Sequence, residues 1–136
     1  MKKLAFLAFL LLGFMAGTQS ASAQSDWAAL KTFHGVMSQT FHPMQDGNFQ
    51  PIRERSGEMA MKAKAVAKSE IPAAYNSPEI IVALKQLAKD SKKLDKLVKK
   101  NASDEVLGKS LTALHDVFHR IMGLCNDHED HEGHDH

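Results

Sequence analysis

Apolar residues recur every three or four positions in four separate stretches of this chain, and that spacing constrains the fold more than any other feature. The first stretch carries Trp27, Leu30, Phe33, Met37 and Phe41, with Asp26 placed to cap it. Pro43 is expected to stop it, and Asp46-Gly47 to turn the chain. Pro51 suits the first position of a second helix, which presents Ile52, Met59, Ala63, Val66 and Ala67. After "EIPAAYNSPE", Ser77 caps a third helix with Pro78 at its first position; Ile80, Ile81, Leu84, Leu87, Leu94 and Val98 form its stripe. That helix runs out at Lys99-Lys100-Asn101. Ser103 caps a fourth, with Asp104 and Glu105 in its first turn and Leu107, Leu111, Leu114, Phe118, Ile121, Met122 and Cys125 on one face.

No β-branched alternation competes with this pattern. Four amphipathic helices joined by short connections predict an all-α, up-down-up-down four-helix bundle over residues 24–125. Cys125 is the only cysteine, so no intrachain disulfide can form and packing must supply the stability. The alanine-rich apolar faces also suit pairing into a homodimer.

The two ends read differently. Residues 1–23 have a basic start (Lys2, Lys3), an apolar run from Leu4 to Ala16, and Ala21 and Ala23 in A-x-A spacing. That pattern predicts a cleaved signal peptide and points to a bacterial periplasm. No later stretch is long and apolar enough for a stable membrane insertion. Loss of Lys2 and Lys3 lowers Lys plus Arg from 17 to 15 against 16 acids, so nothing speaks for nucleic acid as a partner. Residues 126–136, "NDHEDHEGHDH", are polar and cannot bury a core; they are expected to form a disordered tail.

Six of the eight histidines lie between Leu111 and the last residue. His115 and His119 stand one helical turn apart, which stacks two imidazoles on one face near enough to share a metal ion. His34 lies at the edge of the first helix's stripe. In an antiparallel bundle it should stand roughly level with His119, making three imidazoles that Zn²⁺ or Cu²⁺ would accept. His42, before Pro43, is a possible fourth ligand. Met37 is the methionine best placed to approach the histidines, although filling the core is its commoner use. In the tail, Cys125, His128, His131 and His134 recur every third residue, His136 follows, and acids are interleaved. Such a segment collects borderline metals without a preformed cage. There is no H-E-x-x-H motif, nor any Ser/His/Asp order or positioned carboxylate pair, so no enzyme activity is expected.

The stretch Leu111-Thr112-Ala113-Leu114-His115-Asp116-Val117-Phe118-His119 resembles the last helix of the cytochrome c-prime family, exported four-helix haem proteins with the signature C-x-x-C-H-x-x-F-[RK]. The histidine and the phenylalanine are kept. Leucines replace both cysteines, and His119 replaces the basic residue. The resemblance implies the bundle fold and marks His115 as a metal-binding position. Without the two cysteines there can be no thioether-linked haem.

Together these features point to a periplasmic protein that buffers, sequesters or transfers a divalent transition metal, copper or zinc. Its partner would be a metal efflux or delivery protein. One alternative is a b-type haem protein for electron transfer or ligand sensing, with His115 and either His34 or Met37 as axial ligands. Another is a structural or adaptor bundle with incidental histidines.

Overall fold

The computed structural model describes residues 27–132, with side chains described as far as Asp127. The proposed signal peptide and Asp26 therefore lie outside the described residues. Four helices follow one another: α1 (Ala28–Gln45), α2 (Gln50–Lys68), α3 (Pro78–Lys99) and α4 (Asp104–Glu132), with one 3₁₀ turn, Ala73–Tyr75, between α2 and α3. Consecutive helices pack on one another and α1 also meets α4, which closes the all-α four-helix bundle. No described helix is long and apolar enough to cross a membrane.

The predicted stripes form the core. Trp27, just before α1, and Leu30, Phe33, Met37 and Phe41 on it are buried; Leu107, Leu111, Leu114, Phe118, Ile121 and Cys125 are buried on α4. On α2, Ile52, Met59, Ala63 and Val66 are buried, while Ala67 is half-buried. Ala63 and Ala83, both fully buried, let α2 and α3 approach closely. Ile81 is exposed on α3, where Ala83 and Ser91 take inward positions, and Val98 on α3 and Met122 on α4 are, like Ala67, only half-buried. Polar contacts fasten the helix ends. Trp27 Nε1 donates to Ser69 Oγ at 2.8 Å, joining the start of α1 to the end of α2. Arg53 donates to Asp104 and to the Ala102 carbonyl, joining α2 to the start of α4.

The caps explain where the helices stop. Ser77 Oγ accepts from the Ile80 N–H and Ser103 Oγ from the Val106 N–H, both as read from the sequence. At the end of α1 the Gly47 N–H bonds the Met44 carbonyl and the Asn48 N–H bonds the Pro43 carbonyl, with Gly47 at φ 82°. This paired reversal is a Schellman cap. Asn101, at φ 57°, builds the same cap on α3 through the Asn101→Val98 and Ala102→Leu97 bonds.

Three boundaries correct the sequence reading. Pro43 does not stop α1: the helix passes through it to Gln45. A proline so near the end forfeits one bond, to the carbonyl four residues back, and the Gly47 cap does the stopping. Helix α2 starts at Gln50, one residue before Pro51. Helix α4 does not end at Cys125 but continues to Glu132, because Asp, Glu and His are tolerated in helices and no glycine or proline interrupts them before Gly133.

Candidate functional site

Helix α1 brings His34, Met37, Ser38, Phe41 and His42 onto one side, at the spacings of three, four, seven and eight that a helix superimposes. Helix α4 brings His115, Phe118 and His119 to meet them, and all eight residues line one cleft. The pairing is antiparallel: His34 lies against Phe118, and Phe41, further along α1, lies against His115, earlier on α4. Backbone approach between α1 and α4 is sparser than between consecutive helices. Aromatic and imidazole rings fill that wider gap.

The rings are closely arranged. His115 stacks on Phe41 with centroids 3.7 Å apart and planes 6° from parallel. His34 stacks on Phe118 at 4.9 Å and 20°. His115 and His119 meet edge to face at 4.3 Å and 72°, which brings their two Nε2 atoms to 3.1 Å. Without a metal this contact is a hydrogen bond, with one Nε2 carrying the proton and the other accepting. His42 is exposed and its Nδ1 lies 3.3 Å from Gln45 Oε1. Met37 is fully buried, while His34 and His119 are exposed. The cleft therefore has an apolar floor and an imidazole rim.

His115 is half-buried, and its pKa lies below the ordinary histidine value of 6.5. Burial is the main cause. The neighbouring His119 adds to it, and His42 and His34 do so more weakly, while Asp116 opposes them. Burial and the neighbouring imidazoles disfavour a positive charge on His115, and the Asp116 carboxylate favours one. Asp116 itself lies on another side of α4, in a groove with Gly108 and Thr112.

The expected histidine cluster is thus partly assembled. His34, His42, His115 and His119 share the cleft, but only His115 and His119 converge on one point. Among the described residues no three His, Cys, Asp or Glu side chains stand grouped as a metal cage. The rings of His34 and His42 are engaged by Phe118 and Gln45, contacts that helical phase does not reveal. Cys125 is fully buried in the core and does not line the cleft. The backbone of His128 and His131 is helical, but their side chains, like all of His134 and His136, lie outside the described residues. Phe41, Ser38 and Phe118 are the lining residues that a search for ligand-type side chains passes over. Their spacing from His34 and His115 was the available signal.

The fold and site define an all-α four-helix bundle with a histidine-rimmed cleft between its first and last helices. Comparison with family models, curated proteins and solved structures found no match for the chain.

Proposed function

We propose that this chain is an exported, non-enzymatic protein that binds a transition-metal ion, copper or zinc, and buffers, sequesters or hands it over. The observation that carries the reading is the 3.1 Å separation of His115 Nε2 and His119 Nε2. Metal–imidazole bonds of about 2.0–2.1 Å place two nitrogens on one ion roughly 2.9–3.4 Å apart. The pair therefore already has the edge length of a coordination polyhedron. Burial favours the neutral form of His115, the form that binds metal.

His34 and His42 lie within the same cleft and are exposed, each held by one contact. An aromatic stack of this kind is worth about 0.5–1.5 kcal/mol. Metal coordination is strong enough to draw such a ring away and complete the ligand set. The likeness of the His115 segment to the cytochrome c-prime helix agrees with a metal at this position. The cleft holds about 30 Å³, against about 300–1,000 Å³ for pockets that take organic ligands, which favours an ion over a haem as its occupant. His128, His131, His134 and His136 would form a second, looser site near the chain's end, and a metal efflux or delivery protein would be the partner.

Imidazole NMR signals test the reading residue by residue. One equivalent of Zn²⁺ added to the full chain should perturb the His115 and His119 rings, with His34 or His42 following. If only His128, His131, His134 and His136 respond, the cleft is not a metal site.

A further inference from the structure

The side chains around the cleft carry a second message, about which ion they suit. Met37 is the only sulfur among the described residues that line it, and it lies 1% exposed on the floor, one helical turn from His34. None of the described lining residues is a carboxylate; the nearest acid on α4, Asp116, faces another groove. The donors among these residues are therefore imidazoles, one thioether and the Ser38 hydroxyl, all uncharged as metal ligands, set against Phe41 and Phe118.

Two independent arguments follow. Thioether sulfur is a soft donor and selects copper(I) over zinc and copper(II). The charge argument does not depend on sulfur. No described ligand neutralises the ion, so its full charge meets an apolar, buried floor on the side of Met37, Phe41 and Phe118, and water reaches it only from the rim. The desolvation penalty rises with the square of the charge, so a divalent ion pays about four times what a monovalent one does.

We propose that this cleft is a copper(I) site, with His115 Nε2 and His119 Nε2 as two ligands and the Met37 thioether as the third. The inference rests on the metal-binding reading above and narrows it to one ion and one further ligand. Three neutral donors suffice for copper(I), so His34 and His42 need not both move.

The test uses the full chain and three proteins: the unaltered chain, Met37→Leu, and the double variant His115→Ala/His119→Ala. Copper(I) affinity is measured under ascorbate against a chromophoric copper(I) chelator, and zinc affinity against a chromophoric zinc chelator. Met37→Leu keeps the core volume and should fold. It should weaken copper(I) binding by roughly tenfold or more, the scale on which even indirect partners of a metal act. Zinc affinity should stay within about threefold, well under 1 kcal/mol. Equal copper(I) affinity in Met37→Leu, or an equal loss for both ions, overturns the copper(I) assignment while leaving a histidine site. Unchanged affinity for both ions in the double variant overturns the reading of the cleft as a metal site. X-ray absorption on the copper(I)-loaded unaltered chain reads the ligands without any substitution. A sulfur in the copper shell is expected, and a shell of nitrogen alone contradicts the proposal.

Discussion

Phe118 joins the core to the cleft. Its ring touches Phe33 inside the bundle at 5.8 Å and carries His34 at 4.9 Å. Only 3% of it is exposed. Phe118→Ala should destabilise the fold by about 3–5 kcal/mol, the range for a buried aromatic cut to alanine. Urea unfolding measures this, and an unchanged midpoint would show that Phe118 does not bear on the core. At this scale helical phase was enough to put His115 and His119 on one face. It could not foresee that Phe118 would take the ring of His34, or that Phe41 would take that of His115. Those choices belong to side-chain torsions and to the distance between helices, which spacing along one helix does not encode.

Glycines separate the parts of α1 that matter for its shape. Gly47 holds a positive φ in the cap, and Gly35 sits exposed inside the helix; a Cβ at either would meet nothing within 4 Å. Any effect of a methyl group is therefore a backbone effect. Gly47→Ala should destabilise by about 1–2 kcal/mol, since a left-handed conformation opposes a side chain. Gly35→Ala should stabilise by up to about 1 kcal/mol through helix propensity. Thermal melts of the two variants should move in opposite directions, and a common direction would contradict the cap. The helices were legible because stripes such as Leu107–Leu111–Leu114–Phe118 repeat cleanly, and because Ser77 and Ser103 are strong start signals. Their ends were less so. Pro43 was given more weight than the cap four residues later, and the polarity of "NDHEDHE" hid a backbone that remains helical to Glu132. Polarity argues against burial but not against helical backbone hydrogen bonds, which Asp, Glu and His tolerate.

For the whole molecule the cleft couples stability to protons and to metal. The pKa of His115 is depressed in the fold, so between that value and 6.5 the folded state binds fewer protons than the unfolded chain. The stability this residue contributes is fully present above 6.5 and is lost as the pH falls through the folded pKa. The metal-free protein should melt at a lower temperature at about pH 5.5 than at about pH 7.5, and His115→Gln should shrink that difference. A difference of the same size in the variant would mean that other groups carry it. Metal affinity should fall over the same range, because protons compete for the ligating nitrogens.

Metal acts on the fold only where the fold builds the site. Histidines close together in the tail can bind metal in the unfolded chain as well, and such binding adds nothing to the melting temperature. A site that needs α1 and α4 together binds the folded state alone. The most direct measurement is calorimetric unfolding of the full chain with and without Zn²⁺ or copper, beside His115→Ala/His119→Ala. At metal levels about a hundredfold above the dissociation constant the folded state gains about 2.7 kcal/mol, a rise of about 10 °C or more for a domain of this size. The account predicts that rise in the unaltered chain and its loss in the double variant. A rise of the same size in both proteins, or none in either, would contradict it.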